Sequence, residues 1–415
     1  MKSSSVNYKD EYTGCYFKVF GEPQLVLKHL RGSIAIDVDD NEYIDLLGGI
    51  AVNTLGGAHA ELTDAIAKQA RSVIHTSNFF TTTSQIELAK KLISIAEFPA
   101  GSRAFLTNSG TESLECALKI VKKYANTASR PRILTLTNSF HGRTLGALSL
   151  TYKNKYRAPF VPLVPNVEFI EAGNVHELES AFSTKSCSEK GEVAALFMEV
   201  IQGEAGVVEL PADFVLRAWQ LTREHGVLLV VDEVQTGVGR TGSWFAFQNT
   251  GIQPDVVTVA KGLAGGFPIG AVIATDQAAE ILEPGDHGTT FGGNPLAASA
   301  ALKVLEVVEH DNLLECARKI YQIVADHYGK TGRKVRGKGA LIAVEVQNER
   351  SSNVAKLALQ FKSAGGEKCK RSVIVNAVNS SWIRIAPALN IDHELLEEGL
   401  IRLDVALKEA ENEQD

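Results

Sequence analysis

Val227-Leu228-Leu229-Val230-Val231 runs into Asp232-Glu233-Val234-Gln235, and Val256-Val257-Thr258-Val259-Ala260 runs into Lys261-Gly262, with Gly265-Gly266 just behind. Apolar runs this short and this rich in β-branched residues read as strands buried on both faces, the texture of a mostly parallel sheet. In such sheets ligands collect beyond the carboxyl ends of strands, so the polar residue that ends each run carries the interest. A lysine at the mouth of an apolar strand is partly desolvated, and its amine can form a Schiff base with an aldehyde cofactor. An aspartate fixed nearby can hold a pyridinium nitrogen protonated and so make the ring an electron sink. Taken singly, Lys261 reads better as a snorkelling surface lysine and Asp232 as a helix cap. Three further strand ends of the same design tip the balance.

The first is Ala104-Phe105-Leu106-Thr107 leading to Asn108-Ser109-Gly110-Thr111-Glu112, after which Leu114, Ala117, Leu118 and Val121 recur at helical spacing. A glycine turn that opens a helix offers free N–H groups and a positive dipole end to a phosphate; the same residues also serve as ordinary helix caps. The second is Ile133-Leu134-Thr135-Leu136 leading to Phe140-His141-Gly142-Arg143. There an aromatic ring can stack on a planar cofactor and an arginine can fork onto a carboxylate, or a buried Phe can sit beside a solvated Arg. His141 has no histidine or cysteine partner at ligand spacing, so no metal is expected. The third is Ala194-Ala195-Leu196-Phe197-Met198 leading to Glu199-Val200-Ile201-Gln202-Gly203-Glu204-Ala205-Gly206, where Glu204 stands on a glycine-flanked loop.

The rest of the composition bounds the answer. The chain has 415 residues, is 45% hydrophobic and 22% charged, and carries a net charge of −7 without a basic run, which points away from nucleic acid and membrane surfaces. Cys15, Cys116, Cys187, Cys316 and Cys369 are odd in number and scattered, as expected of reduced thiols. The N-terminus has no apolar signal core and no 18-residue apolar stretch follows, so a cytoplasmic protein is expected.

Residues 1–55 read as an N-terminal arm with short strands, including a hairpin of Ile34–Val38 and Glu42–Leu46 about Asp39-Asp40-Asn41. Residues 56–300 alternate apolar runs with amphipathic segments and read as a large α/β domain with helices on both faces of the sheet. Residues 301–415 read as a smaller α/β domain: a long helical pattern, strands at 340–346, 373–376 and 382–386, and a helix from about Glu394 with an acidic end. Two glycine motifs are decoys. Gly237-Val238-Gly239-Arg240-Thr241-Gly242 matches G-x-G-x-x-G, but five residues separate it from its strand and no long amphipathic helix follows. The surroundings of Lys261 do not fit a Walker A loop, since Ala260 precedes it and Leu263 follows Gly262.

Ser109-Gly110-Thr111-Glu112, Phe140-His141-Gly142-Arg143-Thr144, Ile201-Gln202-Gly203-Glu204, Asp232-Glu233-Val234-Gln235-Thr236-Gly237, Ala260-Lys261-Gly262 and His287-Gly288-Thr289-Thr290-Phe291-Gly292-Gly293-Asn294-Pro295 follow one another in the order found in class III aminotransferases, and over nearly its whole length the chain resembles that family. Within the family, Ile44–Asn53, Ser77-Asn78-Phe79 and Arg384-Ile385-Ala386-Pro387-Ala388-Leu389 are most similar to the bacterial acetylornithine aminotransferases. The resemblance implies the fold type I architecture of pyridoxal 5′-phosphate-dependent enzymes and a homodimer with shared active sites. It implies that Lys261 carries the cofactor as a Schiff base and Asp232 pairs with its ring nitrogen. Val234 and Phe140 would sandwich the ring, and Gln235 would lie near its phenolic oxygen. Gly110 and Thr111 would hold the phosphate, with Thr290 reaching in from the neighbouring subunit. Arg143 would take the α-carboxylate of acetylornithine, with Thr289 lining the same place. Arg384 would take the α-carboxylate of glutamate or 2-oxoglutarate, and Glu204 would switch between the two.

The sequence departs from the family pattern at Gly57 and Ala60, where a histidine and a proline are usual, and at Ser113-Leu114, Val200 and Ala205. These positions bear on the substrate mouth and on loop mobility. The expected reaction moves the δ-amino group of N2-acetylornithine to 2-oxoglutarate. The competing expectations are succinylornithine, ornithine or 4-aminobutyrate as donor, an NAD-dependent dehydrogenase built on the decoy glycines, and a non-catalytic cofactor-binding protein.

Overall fold

A computed structural model of the chain describes residues 4–361 and 369–412. At its centre is a seven-stranded sheet in the order Arg103–Thr107, Gly270–Ala274, Val256–Val259, Leu228–Asp232, Val193–Met198, Arg132–Leu136, Val167–Ile170. Gly270–Ala274 runs antiparallel to both its neighbours, and the remaining adjacent pairs are parallel. The strand Arg103–Thr107, antiparallel to an antiparallel strand, therefore points the same way as the other five. Six carboxyl ends thus face one edge of the sheet, so the segments beginning at Asn108, Thr137, Glu199, Glu233 and Ala260 emerge side by side. Val193–Met198 and Val256–Val259 are buried at every position, as expected for strands covered on both faces. The helix Gly110–Thr127 covers one face through Leu114, Ala117, Leu118 and Val121, the positions whose spacing marks it in the sequence.

The predicted N-terminal hairpin forms, with Ile34–Asp37 antiparallel to Glu42–Asp45 and Asp40 in the left-handed region at φ 63°. Its sheet is completed from far along the chain: Arg371–Ile374 pairs in parallel with Glu42–Asp45. The apolar run around residues 373–376 is read in the sequence as one strand, and the structure corrects this. Arg371–Ile374 belongs to the N-terminal sheet, whereas Asn376–Asn379 pairs with Trp382–Ile385 in another sheet, the chain changing partners at Val375. That second sheet has four strands in the order Val335–Lys338, Leu341–Glu345, Trp382–Ile385, Asn376–Asn379. The last helix spans His393–Asn412, and the end of the acidic tail, residues 413–415, lies outside the described residues. Among the described residues no helix is long and apolar enough to cross a membrane.

Candidate active site

The loops that leave the sheet edge enclose a cavity of about 380 Å³. Its wall includes Gly110, Thr111, Phe140, Arg143, Glu204, Asp232, Val234, Gln235 and Lys261. Nine of the twelve residues singled out in the sequence thus meet at one place, and the size lies in the range of small-molecule sites. Lys261 begins a 3₁₀ turn one residue after the strand Val256–Val259, with a backbone φ of +44°. A side chain in that left-handed region is held there against its own preference, by up to about 1–3 kcal/mol. The hold is visible: Thr54 Oγ1 donates to the carbonyl of Gly262 at 2.9 Å, and a Cβ on Gly262 would lie 2.7 Å from that hydroxyl. Burial pushes the pKa of the Lys261 amine down, with Arg384 adding to the effect and Glu204, Asp232 and Glu199 opposing it. An amine so placed keeps a larger neutral fraction than a surface lysine.

Asp232, buried at the end of its strand, accepts from three donors: His141 Nδ1 at 2.7 Å, Thr258 Oγ1 at 3.0 Å and the backbone N–H of Val234 at 3.0 Å. Thr258 reaches it because the two strands pair in the register Asp232↔Thr258. Burial works against a charged imidazole, yet the bond to Asp232 and the charge of that carboxylate hold the pKa of His141 above its ordinary value. Its Nε2 is buried and finds no hydrogen-bond partner among the described residues. Glu199, also buried, accepts from the N–H of Phe140 at 3.0 Å, and burial lifts its pKa to about 8. His141, Glu199 and Thr258 are the parts of the site that the sequence reading missed. Along the chain His141 has no ligand-spaced partner, and its role comes instead from Asp232; among the described residues no group of three His, Cys, Asp or Glu is arranged to hold a metal.

The two predicted arginines are in opposite states: Arg143 lines the cavity, whereas Arg384 is outside its wall, bonded to the lining residues Glu204 and Gln235. Arg143 is exposed, its Cζ 3.4 Å from the ring centroid of Tyr156 and 5.6 Å from that of Phe140. Arg384 is 1% exposed and donates through Nη1 to Glu204 Oε1 at 2.6 Å and to Gln235 Oε1 at 3.1 Å, and through Nε to Asn376 Oδ1 at 3.2 Å. Burial would raise the pKa of Glu204, but Arg384 outweighs it and holds the carboxylate below its ordinary range. The Glu204 side chain keeps 36% of its surface open. Gln235 lies so close to Gly203 that a Cβ there would meet its carboxamide oxygen at 1.6 Å and displace the end of that side chain.

Thr289 and Thr290 are not in this wall. They line a separate surface hollow with His75, Ser77, Asn78 and Phe79, where Thr289 Oγ1 accepts from Asn108 Nδ2 at 3.2 Å and its carbonyl accepts from Asn78 Nδ2 at 2.5 Å. The decoy glycines Gly237 to Gly242 form turns with no long helix after them. Arg240 within them is buried and donates to the carbonyls of Ala340 and Pro387, so the segment ties the central sheet to the C-terminal strands rather than cradling a dinucleotide.

The cavity suits pyridoxal phosphate on its own terms. Gly110 opens an 18-residue helix whose first N–H groups have no partner within the helix, and Ser109 caps it by accepting from Glu112 N. A Cβ on Gly110 would meet Val234 Cγ1 at 2.7 Å, so only glycine lets the helix end and the side chain of Val234 approach this closely. A buried amine, a carboxylate held by three donors and a helix N-terminus around one space match the aldehyde, ring nitrogen and phosphate of that cofactor.

Comparisons with known proteins agree with this geometry. The chain matches the family described as "Aminotransferase class-III" over residues 18–407. It is 44% identical over 410 residues to the acetylornithine aminotransferase of Bifidobacterium longum (strain NCC 2705), covering 94% of this chain and 93% of that one. Among solved structures, it superposes on the ornithine aminotransferase from Toxoplasma gondii ME49 with a TM-score of 0.88 at 28% identity, covering 99% of this chain and 97% of the other. The N-acetylornithine aminotransferase from Stenotrophomonas maltophilia K279a gives a TM-score of 0.76 at 32% identity, with 94% and 98% covered. The motif order, the α/β fold and these likenesses lead to one conclusion: the chain belongs to the class III aminotransferases, a family of pyridoxal phosphate-dependent enzymes.

Proposed function

We propose that this aminotransferase moves the δ-amino group of N2-acetyl-L-ornithine to 2-oxoglutarate, giving N-acetylglutamate 5-semialdehyde and glutamate, a reaction of arginine biosynthesis. The observation that carries the reading is the contrast between the arginines: Arg143 stands open, while Arg384 is buried and capped by Glu204 at 2.6 Å. One cavity with a permanently available and a gated carboxylate receptor suits two substrates that take turns, one of them a dicarboxylate. Arg143 anchors the carboxylate of acetylornithine by charge-assisted bonds, and Arg384 receives that of glutamate or 2-oxoglutarate once Glu204 swings away.

Gly110 and Thr111 would hold the cofactor's phosphate, Phe140 and Val234 its ring, Gln235 its phenolic side and Asp232 its ring nitrogen. When bound, pyridoxal phosphate supplies a ring that takes up the electron pair left when a substrate carbon loses a proton. Lys261 Nζ, neutral for part of the time because it is buried, takes that proton and returns it. Asp232, its two oxygens held by His141, Thr258 and the Val234 N–H, would supply the negative charge that keeps the ring nitrogen protonated. The same reading makes the working unit a cytoplasmic homodimer in which Thr290, exposed and outside the Lys261 cavity, joins the phosphate site of the neighbouring subunit. It also divides the chain into an arm (1–55), a cofactor-binding domain (56–300) and a C-terminal domain (301–415).

The test is a donor panel with 2-oxoglutarate as acceptor. Acetylornithine should exceed succinylornithine, ornithine and 4-aminobutyrate at equal concentration, and a preference for another donor would overturn the assignment. Ornithine is the second reading, favoured by the 0.88 TM-score to the Toxoplasma enzyme of that name.

A further inference from the structure

Glu204 stands at the tip of a hairpin. The two-residue strands Ile201–Gln202 and Val208–Glu209 pair antiparallel, and the carbonyl of Gly203 closes the loop by accepting from the N–H groups of Gly206 and Val207 at 3.3 and 3.2 Å. The hairpin follows a strand of the central sheet, yet its tip rests on the C-terminal sheet. Across that sheet the register reads Arg336↔Ala343, Ala343↔Arg384 and Arg384↔Asn376. Residues opposite one another in an antiparallel ladder share a face. Arg336 and Arg384 therefore flank the small Ala343 on one face, and Trp382, two residues before Arg384, lies on it too.

The Arg336 guanidinium lies over the Trp382 ring, its Cζ 3.7 Å from the centroid. From that seat Nε donates to the carbonyl of Gly206 at 2.5 Å and Nη2 to that of Ala205 at 3.4 Å, while Asn379 Nδ2 donates to Ala205 at 3.2 Å. The two peptide carbonyls directly after Glu204 are thus gripped by the same sheet whose Arg384 holds the Glu204 carboxylate. Gly206 makes the grip sterically possible: its φ is +99°, and a Cβ there would lie 2.4 Å from Arg336 Nη2 and 3.0 Å from Asn379 Nδ2.

We propose that Arg336, seated on Trp382, is a positioning residue for the Glu204–Arg384 gate: it fixes the hairpin backbone to the C-terminal sheet so that opening and closing need only the Glu204 side chain to move. The inference rests on the reading of Glu204 as a gate. Without the grip, the carboxylate would no longer be delivered to Arg384 in one geometry, and Arg384 would be free for dicarboxylates more of the time. In this role Arg336 touches no substrate; its effect passes entirely through Glu204.

The experiment is a double-mutant cycle on the holoenzyme, read as the ratio of the glutamate to the acetylornithine half-reaction kcat/KM in single-turnover mixing. Arg336→Met, which keeps an apolar stem on Trp382 but loses both donors, should raise the ratio about 2- to 10-fold, the range expected when hydrogen bonds of ordinary net worth are lost. Arg336→Lys, which keeps one donor, should fall between parent and Met. In the Glu204→Gln background, Arg336→Met should leave the ratio where Glu204→Gln put it, because a residue that acts only through Glu204 has nothing left to position. Hydrogen exchange at the amides of Gly206 and Val207 should quicken in Arg336→Met and Arg336→Lys, and this readout does not depend on turnover. An unchanged ratio in Arg336→Met while Glu204→Gln shifts it would overturn the inference and leave the gate standing. An equal shift by Arg336→Met in both backgrounds would also overturn it, placing the effect elsewhere. If Glu204→Gln itself shifts nothing, the gate reading fails and the inference falls with it.

Discussion

Replacing Glu204 with glutamine removes one charge from the proposed gate and little else. The glutamine carboxamide can still accept from Arg384 Nη1, and Gln235 Oε1 remains bonded to the same nitrogen at 3.1 Å. What is lost is the coulombic part of a contact of 2.6 Å. Two unit charges about 4 Å apart at an effective dielectric constant near 20 interact by about 4 kcal/mol. That figure is an upper bound here, because Glu204 keeps 36% of its side-chain surface open and solvent screens the pair. A discounted value of about 1–2 kcal/mol corresponds to roughly 5- to 30-fold. Arg384 in the variant is a buried cation without a counter-charge, so the carboxylates of glutamate and 2-oxoglutarate should bind more tightly by about that factor. Acetylornithine, whose carboxylate is proposed to bind Arg143, should change much less. Stopped-flow single turnovers with each amino donor separately give the two kcat/KM values, and their ratio should move toward glutamate. An unchanged ratio would refute the reasoning and reduce Glu204 to a hydrated loop residue that happens to neutralise a structural arginine.

Lys261→Ala should fold and still bind the cofactor through the phosphate and ring contacts, yet lose the amine that moves the proton; purified variant with near-normal transamination would contradict this. Asp232→Asn should slow the proton-transfer step by about 10²–10³-fold with a smaller loss of cofactor affinity, measured in single turnovers against a cofactor titration. Arg143→Ala should raise the KM for acetylornithine by about 10- to 150-fold, the worth of hydrogen bonds to a charged group of about 1.5–3 kcal/mol, and damage the glutamate half-reaction less; equal damage to both would show that the arginines do not divide the work. Glu199, lifted to about 8 by burial, keeps its proton in the folded protein after the unfolded chain has lost it near pH 4.3. Its contribution to stability is therefore complete below about pH 4.3 and drains away as pH rises through about 8. Glu199→Gln should flatten the fall in Tm of the cofactor-free protein between about pH 5 and 8, and a slope equal to the parent's in that window would place the ionisation elsewhere.

The readable parts of this fold are those specified by local pattern. The strands that carry Asp232 and Lys261 stand out because they are apolar at nearly every position, and polar residues directly after such runs are exceptions that a sequence displays openly. The same rule finds Gly110, Phe140, Arg143 and Glu204, all of which line one cavity. It fails around residues 371–379. There the apolar texture continues from Val373 through Val375, but the chain changes sheets between Ile374 and Asn376, since one stretch completes the N-terminal hairpin and the next borders Arg384. Nothing in the periodicity of a short run says which distant edge it will join.

The groups that the sequence hides are those created by register. Thr258 looks like one more β-branched strand residue until the pairing Asp232↔Thr258 brings its hydroxyl to the carboxylate at 3.0 Å. His141 has no partner within reach along the chain, and its partner is Asp232, 91 positions away, held at 2.7 Å. Arg384 and Arg336 are 48 residues apart and share a face only because both strands pair with Leu341–Glu345. In each case the chemistry of the site comes from a polar residue whose meaning depends on which strand lies beside it and in which phase. A one-residue slip would turn it to the opposite face. Arg384 makes the point most sharply. In the sequence it is an arginine in an apolar strand, which by itself argues for a charge buried at a cost. The structure removes that cost through Glu204, Gln235 and Asn376, residues delivered by a hairpin, a loop after the central sheet and a neighbouring strand. Of the three, Glu204 keeps 36% of its side-chain surface open, whereas Gln235 is buried and Asn376 belongs to a strand of the C-terminal sheet. The proposed gate therefore rests on the partner of Arg384 that stands at a hairpin tip and keeps about a third of its surface free.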